Sequence, residues 1–165
     1  MCQVAKSLSF SPKLGNEAPT PELAQFRSEI DAAIPSLRRF ALALIGDRDQ
    51  ADHLVEDTLL QALITKDRYS GGHTQIWLYT LFVSQHRRNL LSRRRYVTST
   101  SDRTRSLPRD ADVKTGLAAL SDEQRRALLL VILEGFSYGD VADIEGVRVG
   151  VVTSRIASAR KRLSA

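Results

Sequence analysis

FSYGDVADIEGVRVGVVTSRIASARKRL, residues 136–163, divides into halves of opposite charge. The first half carries Asp140, Asp143 and Glu145, and the chain has no acidic residue after Glu145. Between the halves, EGVRVG is too short for a domain linker and too glycine-rich for a helix interior. Ser137 with Asp140 has the S-x-x-D spacing that starts a helix. Val141, Ala142 and Ile144 give that short helix an apolar side, and Gly146 ends it. A last helix is predicted from about Val149 to Leu163, with Val152, Ile156, Ala159 and Leu163 as its inner stripe. A short helix, a glycine turn and a longer helix make a helix-turn-helix, whose second helix enters the DNA major groove. Two amphipathic helices around a glycine turn are also plain core architecture. The one-sided charge favours DNA: Arg148, Arg155, Arg160, Lys161 and Arg162 offer cations to phosphates, and no acid repels them.

The rest of the chain reads as helical too. Ser121 with Gln124 has capping-box spacing ahead of ALLLVIL, and Gly135 closes that helix. Further upstream, VTSTSDRTRSLPRDADV has no apolar face and reads as a flexible linker over 97–113. In the first half, Thr20 caps a helix whose Leu23, Phe26 and Ile30 recur at helical spacing. Pro35 should kink or restart that helix, and Gly46 should stop it. A second helix carries the stripe Ala51, Leu54, Val55, Leu59, Ala62 and Leu63. After a glycine-containing loop, IWLYTLFVSQHRRNLLSRRR forms a long helix that turns basic, with Trp77 on its apolar stripe as core rather than base platform. The chain is therefore all-α: two small helical domains joined by a flexible linker, the C-terminal one a helix-turn-helix. The expected division is a tail at 1–19, a domain at 20–96, the linker, and a domain at 114–165.

Composition narrows the function. The chain has 165 residues, 42% of them apolar, as in a folded protein, and a formal charge of +5. A pI of about 9.7 suits a polyanionic partner. Cys2 is the only cysteine, and His53, His73 and His86 share no zinc-like spacing, so neither a disulfide nor a metal is expected. No paired carboxylates, activated nucleophile or phosphate-cradling glycine loop appears, so neither an enzyme nor a cofactor is expected. The apolar runs are too short to cross a bilayer and the start lacks a signal-peptide core, which points to the cytoplasm without membrane insertion.

These residues resemble a family. GFSYGDVADIEGVRVGVVTSRIASARKRL is similar to region 4 of an extracytoplasmic-function (ECF) sigma factor, sharing Gly135, Ser137, Tyr138, Ala142, Gly146, Gly150, Ser154 and Arg155 among others. ADHLVEDTLLQAL and IWLYTLF resemble region 2, and PSLRRFALALIGDRDQADHLVEDTLL is most similar to the general stress response factors of alphaproteobacteria. The resemblance implies a protein that binds core RNA polymerase, directs it to promoter DNA, acts in a stress response and is held by a small helical anti-sigma factor. Toward the −35 element it implies Arg148, Val151, Thr153, Ser154, Arg155 and Ser158, with Arg160, Lys161 and Arg162 on phosphates. Toward the −10 element it implies Lys66, Arg68, Tyr69, Tyr79, His86, Arg87, Arg88, Arg93, Arg94 and Arg95. Toward polymerase it implies Asp52, Glu56, Asp57 and Leu60. The chain departs from the family pattern at Thr153 and Ser158, where Lys or Arg is frequent, and at Val83-Ser84, where Arg-Asn is common. Those departures imply weaker −35 contacts and an altered or weaker −10 reading. A competing function is a sigma-like decoy that sequesters an anti-sigma factor without binding promoters.

Overall fold

The computed structural model describes residues 21–69, 71–96 and 116–164, the side chains of 68 and 93–96 excepted. The tail at 1–19, the Thr20 cap and the linker at 97–113 lie outside the described residues.

Helix α1, Pro21–Ile45, buries Phe26, Ile30, Ala33, Leu37, Phe40, Ala41 and Leu44 at spacings of three and four. Gly46 stops it at φ 77°, a left-handed turn that a side chain would strain. The helix runs unbroken through Pro35, contrary to a restart there. Pro35 and Asp31 lie on the exposed face, where water can reach the carbonyl that the proline leaves unpaired. Meanwhile the buried stripe continues on the other side.

Helix α2, Arg48–Thr65, starts at Asp47, whose carboxylate accepts from the Gln50 amide at 2.9 Å. It buries Ala51, Leu54, Val55, Thr58 and Ala62. Leu63, expected in that stripe, is 49% exposed instead, because Ala62 already fills the core-facing position. A 3₁₀ turn, Lys66–Arg68, and the glycine pair Gly71-Gly72 lead to α3, Thr74–Tyr96. Leu78, Tyr79, Phe82 and Val83 of α3 are fully buried.

The C-terminal helices are α4, Asp122–Ile132, α5, Tyr138–Glu145, and α6, Val149–Leu163. Both expected capping boxes form, at Ser121/Gln124 and Ser137/Asp140. Gly146 ends α5 in the left-handed region, φ 64°, and turns the chain into α6. Val152, Ile156 and Ala159 of α6 are buried. Leu163 is not part of that inner stripe: it is 44% exposed, in the last turn.

Helices α1, α2 and α3 pack together, as do α4, α5 and α6. The two groups also meet, α3 against α5 and α1 against α4. Tyr79 and Phe136 stack edge-on across this seam, centroids 5.1 Å apart. Arg125 reaches over it to the Leu44 carbonyl at 3.3 Å.

Candidate nucleic-acid interface

The second helix of the helix-turn-helix, α6, presents Arg148, Val151, Thr153, Ser154 and Ser158 to solvent. The Thr153 hydroxyl turns back onto the Val149 carbonyl at 3.1 Å. Arg160, Lys161 and Arg162 are exposed in the last turn, where cations also complement the helix dipole. Arg162 donates to the Ala119 carbonyl at 3.1 Å. Arg155 departs from the expected DNA-facing set. Its side chain is only 16% exposed and donates inward, to Glu123 at 2.8 Å and Glu145 at 3.3 Å. Carboxylates from α4 and α5 claim this guanidinium before a phosphate can.

Glu145 is the group that sequence reasoning missed. Its side chain is fully buried at the end of α5. Arg126 grips it in a fork, Nε to Oε1 at 2.6 Å and Nη2 to Oε2 at 3.1 Å. Arg87 and Arg155 complete the shell. Burial pushes its pKa up, but the Arg126 hydrogen bond and the charges of Arg126, Arg87 and Arg155 outweigh it, so the carboxyl titrates below its usual range. The local signal was faint: an acid in the last turn of a helix whose other core residues are apolar. Its partners lie between 10 and 58 residues away.

At the other end, Lys66 is exposed and Tyr69 is half-buried against Phe26 and Trp77, centroids 5.3 and 5.1 Å away. Tyr69 Oη lies 2.8 Å from the Gly72 carbonyl, to which it donates, and 2.7 Å from the Thr74 hydroxyl. The Thr74 hydroxyl donates its proton to Glu29, and this bond holds the Glu29 carboxyl below its ordinary pKa. These groups edge an open cavity of about 690 Å³ that also takes in Glu22 and Gly72. Phe26 and Tyr69 give the cavity an aromatic wall, and Glu22, Glu29 and Asp67 line it beside Lys66. The side chains of Arg68, Arg93, Arg94 and Arg95 lie outside the described residues. Arg88 is exposed.

Tyr79 and His86 require correction as surface groups. Tyr79 is fully buried, its hydroxyl donating to Glu134 at 2.7 Å, and burial pushes its pKa upward. His86 is 7% exposed, stacks on Phe82, and its buried Nδ1 has no partner. Arg87 is occupied by Glu145. Tyr79 and Arg87 reach the C-terminal half of the chain, and the Arg87 side chain stays 40% exposed.

Burial, and then the Arg126 charge, push His86 down to about 4 from an ordinary 6.5. An exposed or unfolded state therefore takes up its proton first. The stability that neutral His86 contributes is complete above pH 6.5 and is lost as pH falls toward 4. Thermal melts between pH 7.5 and 4.5 should show a steeper acid loss in the natural chain than in His86→Phe. Parallel curves would refute this.

On α2, Glu56 and Asp57 are exposed and Asp52 is half-buried. Leu60, at 58% exposure, has apolar company that the sequence reading missed: Leu63 at 49% and Ile64 at 74%. Consecutive apolar residues cannot all face one core from a helix, and that was the available signal.

Two sequence families match this chain in order. Residues 30–83 match the Sigma2 domain of PhyR, and residues 111–163 match Sigma-70, region 4. The ECF RNA polymerase sigma factor EcfG of Rhodopseudomonas palustris is 39% identical over 156 residues, 88% of this chain and 86% of that protein. The chain belongs to the ECF RNA polymerase sigma factors. The ECF factor SigC of Mycobacterium tuberculosis is 33% identical over 136 residues, 75% of this chain and 74% of SigC. Among solved structures, the sigma factor RpoE of Bartonella quintana, crystallised with the anti-sigma factor NepR, aligns with a TM-score of 0.74 and 33% identity, over 84% of this chain and 94% of RpoE. In this ECF sigma factor, region 4 therefore comprises α4, α5 and α6, and region 2 draws on α1, α2 and the first half of α3. No helix among the described residues is long and apolar enough to cross a membrane. No His, Cys, Asp and Glu group among them could hold a metal ion.

Proposed function

We propose that this chain binds core RNA polymerase and directs promoter-specific initiation. The supporting observation is regions 2 and 4 in order on one chain, with α6 exposed and basic at its end. Residues 20–96 serve as the region 2 unit and 114–165 as the region 4 unit, joined by 97–113. Asp52, Glu56, Asp57 and Leu60, extended by Leu63 and Ile64, form the polymerase-facing side of α2. Arg148, Val151, Thr153, Ser154 and Ser158 face the −35 duplex, and Arg160, Lys161 and Arg162 meet phosphates. Lys66, Tyr69 and Arg88, with Arg68 and the Arg93–Arg95 run, meet the −10 strand. Acting on the chromosome, the protein works in the cytoplasm.

A small helical anti-sigma factor restrains it, a reading supported by the NepR complex of the Bartonella relative. The response is one to stress, by similarity to EcfG. A promoter-blind decoy is less well supported. The 39% identity to a sigma factor spans 88% of the chain, and the basic end of α6 is free of acidic neighbours in sequence.

Run-off transcription with purified chain and core polymerase should give new start sites on a genomic promoter library. Arg160→Ala with Lys161→Ala should weaken promoter binding and reduce the salt slope by about 1 for each phosphate that goes unneutralised. Folded chain that does not bind polymerase would refute the proposal.

A further inference from the structure

Arg155 sits on the flank of α6 that turns toward the other two region 4 helices, and its side chain is only 16% exposed. Its Nη2 donates to Glu123 in the first turn of α4 at 2.8 Å, and its Nη1 to Glu145 at the end of α5 at 3.3 Å. One guanidinium therefore joins all three helices. Two turns further along α6, Arg162 donates to the Ala119 carbonyl, just ahead of α4. Seven residues of helix span about 10 Å, so α6 is held at two separated points. Val152, Ile156 and Ala159 supply the buried stripe of α6. Apolar burial has no direction of its own, whereas charged hydrogen bonds to two fixed carboxylates accept one orientation of the helix. A turn of α6 by one residue is a rotation of about 100°, enough to change which side chains the helix offers to a duplex.

We infer that Arg155 is a positioning residue and not a DNA contact: by holding Glu123 and Glu145 together it fixes the rotation of α6, so that Val151, Ser154 and Ser158 face the −35 bases. What α6 is aimed at rests on the sigma-factor reading; the three-helix tie itself does not. To reach a phosphate, Arg155 would have to leave both carboxylates, one of them fully buried. Arg160 and Lys161 are exposed and can meet the DNA backbone without that loss. Ion pairs withdrawn from water add little net stability, and fixing register is their best-attested use. The Arg155 tie serves that use in the recognition helix.

The test uses holoenzyme assembled from the full chain and core polymerase, a promoter duplex recovered from the genomic library, and a mixed-sequence duplex of equal length. Arg155→Gln leaves Glu145 with Arg126 and Arg87, and the Glu123 side chain is 60% exposed, so Arg155→Gln and Glu123→Gln should both fold. Each should weaken promoter binding roughly 10-fold, about the cost of one mismatched base pair. Neither should change binding to the mixed-sequence duplex or the slope of affinity against salt. Arg160→Ala, by contrast, should weaken binding to both duplexes and lower that slope by about 1. The double variant Arg155→Gln with Glu123→Gln should bind no more weakly than the worse single one, because the two side chains act as a unit. A slope lowered by about 1 in Arg155→Gln would make Arg155 a phosphate contact and overturn the inference. Tighter promoter binding by Glu123→Gln would also overturn it, since Glu123 would then be competing with DNA. Hydrogen exchange in the free chain reads the tie without DNA: α6 amides should exchange faster in both variants, with helicity intact. If exchange quickens but the wild-type holoenzyme never prefers a promoter, the tie stands and the sigma-factor reading falls. If a promoter is preferred and neither variant alters that preference or the exchange, the tie falls and the reading stands.

Discussion

Arg126→Ala is expected to destabilise the region 4 helices by about 3–5 kcal/mol, the usual cost of removing one partner from a buried ion pair. The Arg126 side chain is 2% exposed and that of Glu145 fully buried, so water cannot replace the missing fork. Arg155, at 3.3 Å and shared with Glu123, and Arg87, at 2.5 Å, both contact Oε2, so neither replaces the 2.6 Å bond to Oε1. The deletion also leaves a void in the interior, where the Arg126 side chain is 2% exposed. Urea denaturation followed by far-ultraviolet circular dichroism measures the loss. Arg126→Lys keeps the charge without the planar fork and should fall between the two. A loss below about 1 kcal/mol for the alanine variant would mean that the remaining arginines satisfy Glu145, contrary to the geometry.

The region 2 counterpart is Phe40→Ala, for which a loss of about 3–5 kcal/mol is expected. Phe40 is fully buried and meets Tyr79 and Phe82 edge-on, centroids 5.3 and 5.4 Å away. The transfer of the ring to water and the cavity left behind act together, and two favourable ring pairings disappear. Tyr79 would lose the neighbour that fixes its ring, loosening its bond to Glu134 as well. Hydrogen exchange should therefore show faster opening of α1 and α3, with denaturant titration giving the free energy. Phe40→Leu retains most of the apolar volume and should cost less. Equal losses for the two variants would argue against the ring pairings.

What the sequence disclosed was local. Both capping boxes and the stops at Gly46, Gly135 and Gly146 depend on residues within one turn of each other, and each formed as read. The two-region architecture was legible for the same reason: helix-turn-helix charge order and region 2 phrasing are short-range patterns. The misreadings were of long-range origin. Nothing near Arg155 announces that Glu123, 32 residues earlier, will hold it. Tyr79 and His86 sit on an aromatic, increasingly basic helix, which reads equally as a nucleic-acid face or as a face awaiting another domain. Leu63 and Leu163 fit a helical repeat, but a repeat identifies a face without showing how far along it the neighbouring helices extend. Pro35 carried a breaking signal that a long buried stripe on the opposite side overrode.

The seam between regions 2 and 4 has a thermodynamic character of its own. Among the described residues it joins guanidinium and phenol groups to carboxylates around the Tyr79–Phe136 pair. Exposing such polar surface lowers heat capacity while exposing rings raises it, so parting the two regions should carry little net heat-capacity change. Heat would then act mainly on the apolar interior of each helical group, whereas added salt would act first on the partly exposed arms at Arg39 and Arg87. Two physical stresses should therefore act at different places: warming on the apolar interiors, and rising ionic strength on the ion pairs at Arg39 and Arg87.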